Sequence, residues 1–257
     1  MKEHTEMDQL YRQITDHLVA SGRRIKKRAG QIQDIGVLKA NLTEEDLRIE
    51  RELVDLIHHT YPTHHIYAEE EHDHIADTDD IWVIDPISGT AAFIAGLPHY
   101  GLVAAHVHHG QVVFAVVYDP SIDELFTANR GQGAQLNGQP IHLSATSKKI
   151  MLNLAPPHFG TKQTAEIWNQ LTDLNLYRNT NSFAINYCWV AAGRFDGVVT
   201  LAKDSFTEFA GSFMIQEAGG QFSTFTGEAV SPQARHFFGG NAETYAKLSE
   251  RIKHLQT

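Results

Sequence analysis

One cysteine, Cys188, is all the thiol this chain of 257 residues carries. That excludes a disulfide framework and a cysteine zinc cluster, and it fits a reducing compartment, so a cytoplasmic location is expected. Long apolar runs are missing as well: nothing approaches the roughly 18 apolar residues of a membrane span. Residues 1–17 are polar and amphipathic, without the apolar stretch and small-residue cleavage site of a secretory signal, so no export is expected. Positive charge is in deficit, with 21 Lys+Arg against 31 Asp+Glu and a formal net charge of -10. A surface of that sign repels a phosphate backbone, so neither nucleic acid nor a membrane is an expected partner. The basic cluster Arg23, Arg24, Lys26, Lys27 and Arg28 falls late in a helical pattern, where cations suit a helix C-terminus. No internal repeat, G-x-S-x-G elbow or dinucleotide fingerprint occurs: Gly131-Gln132-Gly133 follows a strand in a hairpin context, and Cys188 lies in an apolar helical run as core filling.

What is present is enough for a sizeable core, at 42% hydrophobic and 20% charged residues. Leu10, Ile14, Leu18 and Ile25 predict an amphipathic helix over residues 5 to 29. Thr43 and Asp46 form a capping-box pattern, and Ile49, Leu53, Leu56 and Ile57 continue one helical face until Tyr61-Pro62. Ile66-Tyr67 is a short apolar run, and Ile81 to Ile84 predicts a buried strand ending at Asp85-Pro86. Two apolar runs flank His108-His109-Gly110-Gln111 as a hairpin, with further strands at 124–128 and around Ile141. The rest alternates: strand 150–154, helix 164–171, helix 182–192, strand 197–201, helix 206–218, strand 221–225. The small, polar stretch 143–148 is the expected boundary, dividing the chain into 1–147, with helices and an antiparallel sheet, and 148–257, an α/β part completing the pocket.

Two groups of acids stand at strand ends, Glu69-Glu70 and Asp85. A hard cation such as Mg2+ takes oxygen ligands and keeps waters that a phosphate can displace, which is what such a gathering suits. The chain also holds 16 histidines. A transition-metal site from Glu70, His72 and His74 is disfavoured, because the histidine pairs fall in places expected to be solvated and a flexible loop fixes no ligand geometry.

Ala68-Glu69-Glu70, then Trp82-Val83-Ile84-Asp85-Pro86-Ile87-Ser88-Gly89-Thr90, then Glu217-Ala218-Gly219-Gly220 together resemble the signatures of the inositol monophosphatase family. The likeness continues through Val117-Tyr118-Asp119-Pro120, Leu136-Asn137-Gly138 and Gly193 to Asp196, covering nearly the whole chain in order. The resemblance implies an α+β fold, a layered αβαβα sandwich, usually a homodimer, that hydrolyses small phosphomonoesters such as sugar or polyol phosphates with Mg2+. It assigns Glu69, Asp85 and the Ile87 carbonyl to a first metal, Glu70 and Thr90 to the neighbourhood of the attacking water, and Asp46 to an outlying metal or its waters. The amides of Gly89 and Thr90, opening a short helix, are expected to meet phosphate.

The departures from the family pattern bear on activity. Ser88 and Thr207 stand where two aspartates complete a second metal site, and a neutral hydroxyl brings that site no charge. Thr200 replaces an acid near the substrate, Asn181 precedes Ser182 where a glycine is usual, and Ala68 replaces the glycine of G-E-E. Ser88, Ser182, Thr200 and Thr207 are thus the expected substrate-facing residues, inositol is poorly supported as substrate, and fewer Mg2+ ions are expected than in the family, one or none. Two readings follow: a slow phosphatase with an impaired second site, or a catalytically degenerate ligand- or partner-binding relative. For repair of the site, Glu208 is expected on the helix surface, and Asp204 or Ser205 as the cap of that helix.

Overall fold

The computed structural model describes residues 2–37, 39–72, 74, 78–144, 149–155, 160–174, 176–178 and 180–252. Two helices come first, α1 (Lys2–Lys26) and α2 (Glu44–Thr60). They precede β1 (His65–Ala68), β2 (Asp80–Ser88), the short α3 (Thr90–Ala95), β3 (Gly101–His108), β4 (Gln111–Asp119), β5 (Glu124–Asn129), β6 (Gly133–Leu136) and β7 (Gln139–Ile141). These seven strands form one sheet in chain order, with β1 parallel to β2 and every later pair antiparallel.

The second half supplies β8 (Ile150–Leu154), α4 (Lys162–Leu171), β9 (Leu176–Arg178), α5 (Phe183–Ala191), β10 (Gly197–Leu201), α6 (Phe206–Glu217), β11 (Gln221–Thr224), β12 (His236–Gly240) and α7 (Ala242–Ile252). Its sheet runs β11-β12-β10-β8-β9, parallel where β10 meets β8 and β8 meets β9, antiparallel on either side of β12.

Strand alternation sorts the core into layers. Trp82 and Ile84 pack with Leu10, Ile14, Leu18, Ile49 and Leu53 of α1 and α2, while Val83, Val103 and Val117 point the other way onto Ile185, Phe209 and Phe213 of α5 and α6. Val198 and Phe237 of the second sheet close on that same central pair, and Leu152, Val199 and Phe238 turn outward to Ile167, Leu171 and Leu248 of α4 and α7. The order is α, β, α, β, α. Because the central helices serve both sheets, α5 and α6 are buried on nearly every side.

The expected first helix stops earlier, at Lys26 rather than residue 29, and the basic cluster finds partners: Arg24 of the helix and Arg28 just past it both reach Glu45 of α2. The capping box is present with both hydrogen bonds. Strand β2 does not end at Asp85-Pro86 as expected; it continues to Ser88, with a register shift against β3 between Asp85 and Ser88 that absorbs the proline. Strands β6, β9 and β12 and helix α7 were outside the sequence expectations. The expected boundary at 147/148 lies outside the described residues.

Candidate functional site

The acids meet where the parallel β1–β2 ladder ends, just past the pair Ala68 and Ile84, with Asp85 in the part of β2 that runs on. Past β1 the ladder is prolonged by one bond, from the Glu69 N–H to the Ile84 carbonyl at 3.2 Å, which places Glu69 beside Asp85. Helix α2 clamps the following loop: the amides of Glu70 and Glu71 donate to the buried Glu50 carboxylate at 2.9 and 2.8 Å, and His72 Nδ1 lies 2.8 Å from it.

Two lysines enter the acidic group, neither of them a sequence expectation. Lys39 Nζ, from the α1–α2 connection, lies 2.6 Å from Glu70 Oε2 and 3.0 Å from Glu69 Oε1. Lys203 Nζ lies 3.0 Å from the same Glu69 oxygen and 3.5 Å from Asp204 Oδ2. Nothing in the local sequence marks either lysine.

The charges are uneven. Burial works to raise the Glu69 carboxyl, but the ammoniums of Lys203 and Lys39 outweigh it and hold it below its ordinary value. Asp85 moves the other way, pushed well up by burial and then by Glu69, Asp204 and Glu70. Burial and the adjacent Glu69 likewise push Glu70 up to about 7. Burial raises Asp204 too, with Glu69 adding to it. Carboxyl groups that raise one another in this way mark a place short of positive charge.

Asp46 does double duty at the start of α2. Its Oδ2 accepts from the Thr43 amide and hydroxyl at 2.8 and 2.5 Å, closing the cap, and its Oδ1 lies 3.2 Å from the Thr90 hydroxyl. That hydroxyl also donates to the Ile87 carbonyl at 2.7 Å, and burial pushes Asp46 up to about 6. Glu69, Glu70, Asp85, Asp46, Thr90 and Ile87 are therefore linked by contacts or by charge into one region.

The hydroxyl residues are committed elsewhere. Ser182 Oγ caps α5, accepting from the Ile185 amide, and donates to Ser88 Oγ at 2.8 Å. Gly89, with φ of 89°, comes so close to the 181–182 backbone that a Cβ would lie 2.8 Å from the Asn181 carbonyl oxygen; only glycine serves there. Thr207 donates to Glu208 Oε2 at 3.0 Å. Glu208 is not on the helix surface, as expected, but fully buried, with the Tyr187 phenol 2.7 Å from its other oxygen. Burial, and next Asp204, push it up to about 8. Thr200 is equally buried, 2.9 Å from the Tyr187 phenol and 3.2 Å from Asn153 Nδ2, within a network that ties α5 and α6 to β8 and β10. Asp204 faces the acidic group, and Phe206 also donates its amide to it, while the Ser205 hydroxyl caps nothing.

Among the described residues, the histidine and acid atoms that converge are His64, Asp80 and His106, not Glu70, His72 and His74. They line a cavity of about 910 Å³ with Tyr11, Tyr61 and His108. Contrary to the expectation of solvated histidine pairs, His64 is 9% exposed, and His106, outside those pairs, is 2% exposed. Trp82 Nε1–H can only donate, and it donates to His64 Nδ1 at 3.1 Å, so the neutral ring carries its hydrogen on Nε2, toward Asp80. A metal on Nε2 needs the opposite tautomer, so the cluster is built as a hydrogen-bonded set.

The acidic region accepts a divalent ion on better grounds. Its donors are all oxygens, and Asp85 Oδ1 is buried without a hydrogen-bond partner. Glu69, Asp85 and the Ile87 carbonyl are the oxygens that the family resemblance assigns to a first ion; Ser88 and Thr207, at the positions of the second, are neutral and hydrogen-bonded to Ser182 and Glu208.

Comparison with known proteins bears on the fold and the family. The profile of the Inositol monophosphatase family matches residues 7–256. Nus factor SuhB of Salmonella typhimurium is 38% identical over 193 residues, covering 72% of each chain. An inositol-1-monophosphatase of Rhizobium meliloti is 30% identical over 245 residues, covering 91% of this chain and 92% of its own. The structure of an IMPase from Thermotoga maritima superposes with a TM-score of 0.82 at 26% identity, covering 96% of this chain and 98% of the other. With its layers, its acidic strand ends and these relatives in agreement, the chain belongs to the inositol monophosphatase family.

Proposed function

We propose that this chain is a slow phosphomonoesterase with a seat for one divalent ion, acting on a small phosphorylated metabolite. The observation that carries this reading is Asp85: a buried carboxyl beside Glu69 with one oxygen lacking a hydrogen-bond partner among the described residues, on strand β2, which also carries Ile87 and leads into Thr90 at the start of α3. A bound Mg2+ supplies an activated water and positive charge for the phosphate. The chain does the rest. Glu70, poised at about 7, takes up and returns a proton near neutral pH. Thr90 is held by the Ile87 carbonyl and Asp46, which fixes its hydroxyl beside the acids. Without charge at positions 88 and 207, the departing oxygen is poorly stabilised, a barrier increase on the order of 4 kcal/mol or roughly a thousandfold in rate.

A second reading is favoured by the closed hydroxyl pairs Ser88–Ser182 and Thr207–Glu208: a relative that keeps the fold to bind a ligand or partner. Calorimetric Mg2+ titration, with assay on a panel of sugar, inositol and nucleotide monophosphates, separates the two. Slow phosphate release, lost in Asp85→Asn, is the expected result. Absence of release from every panel member at millimolar Mg2+ would favour the binding protein.

A further inference from the structure

The turn between β10 and α6 leads into Thr207, in the first turn of α6, a residue without charge where the family pattern has an aspartate. The same turn delivers Lys203. Its Nζ lies 3.0 Å from Glu69 Oε1 and 3.5 Å from Asp204 Oδ2, and Asp85 also acts on it by charge. Glu69 and Asp204 thus share one ammonium at ion-pair distance, while the buried Asp85 offers an oxygen that has no hydrogen-bond partner among the described residues. Relative to the family pattern, two carboxylates are gone from the second metal site, and two fixed positive charges stand on Glu69, of which Lys203 alone also reaches Asp204.

We propose that the Lys203 ammonium is a built-in counter-ion of the acidic site, taking among Glu69, Asp204 and Asp85 the electrostatic part of a second divalent ion. A covalently tethered cation needs no capture from solution and cannot be removed by a chelator. It also lies on an oxygen that the first ion needs, so it competes with that ion. The cost of the arrangement is weak metal binding; the gain is an acidic site that stays folded without metal. This inference rests on reading the region as a cation seat and is independent of whether phosphate is released.

The test uses the full chain purified in EDTA, comparing wild type, Lys203→Gln and Lys203→Arg by thermal melting and calorimetric Mg2+ titration. Lys203→Gln is expected to melt below wild type in EDTA, to recover in millimolar Mg2+, and to bind Mg2+ roughly tenfold tighter or more, since a competing unit charge has left the site. Lys203→Arg keeps the charge and is expected to follow wild type. Unchanged or weaker Mg2+ binding by Lys203→Gln, or an arginine variant that behaves like the glutamine one, overturns the proposal. Should Lys203→Gln fail to fold, Mn2+-soaked wild-type crystals decide: one anomalous peak with Lys203 still on Glu69 supports it, and two peaks with Lys203 turned away overturn it. Tighter Mg2+ binding by the variant without phosphate release sinks the phosphatase reading alone; phosphate release with unchanged Mg2+ affinity sinks this one alone.

Discussion

Ser88 and Thr207 show how little a residue changes in shape while changing the chemistry open to it. Each hydroxyl has found a neighbour, Ser182 and Glu208 respectively, so the two positions are satisfied without metal. Returning carboxylates to them reverses this. Ser88→Asp combined with Thr207→Asp is expected to raise the Mg2+ stoichiometry measured by calorimetry from one ion to two, and phosphate release by roughly a hundredfold, about 2.7 kcal/mol of barrier. A variant that still binds one ion would mean that the pocket around these positions has closed beyond its ligands. At this scale the losses were legible in the sequence because the motif spacing survives. Lys39 and Lys203 were not, since an ion pair across the fold leaves no local pattern: Lys203 and Glu69 are 134 positions apart.

Elements were most legible where one face is wet. Helix α2 declared itself through its cap and its apolar stripe, and the β3–β4 hairpin through His109-Gly110, both with positive φ, as a tight two-residue turn requires. The central helices α5 and α6 gave a weaker signal, because a helix packed on both sides is apolar all round and has no stripe to read. What decides their packing is one close crossing. A Cβ built on Gly211 would lie 2.2 Å from Tyr187 Cδ2, too near for any relaxed contact. Gly211→Ala is therefore expected to lower unfolding free energy by about 2 to 3 kcal/mol, seen as an earlier urea midpoint, since the Tyr187 ring cannot retreat without disturbing Glu208 and Thr200. The signature Glu217 has a structural post at the far end of α6, where it accepts the amides of Gly131 and Gly133 at 3.0 and 2.9 Å.

For the whole molecule, the buried histidines matter more than the count of sixteen. No helix among the described residues is long and apolar enough to cross a membrane, and the first helical layer meets its sheet around His106, stacked on Trp82 with ring centroids 4.6 Å apart. Burial lowers His106 to about 4 despite the pull of Asp80. Its folded value lies below the unfolded 6.5, so its contribution is complete above pH 6.5 and is lost as pH falls toward 4. The shift corresponds to on the order of 3 kcal/mol. Burial moves His64 and His17 in the same direction. Thermal midpoints measured from pH 7 to 4 are expected to drop, and His106→Gln to give a lower midpoint at pH 7 with a shallower fall; a parallel fall in both proteins would remove His106 as the cause.

By itself the sequence determined the local physics: where helix α2 caps, where strands alternate, and which carboxylates follow the apolar runs, because these depend on spacing along the chain. It also fixed the loss of charge at positions 88 and 207. Only the tertiary structure decided which of those charges face one another. The chain closes its two sheets on α5 and α6, and that packing buries Glu208, turns Asp204 toward Glu69 and sets Lys203 on the same carboxylate. Burial and charge pairing are properties of neighbours in space, which spacing in sequence does not encode.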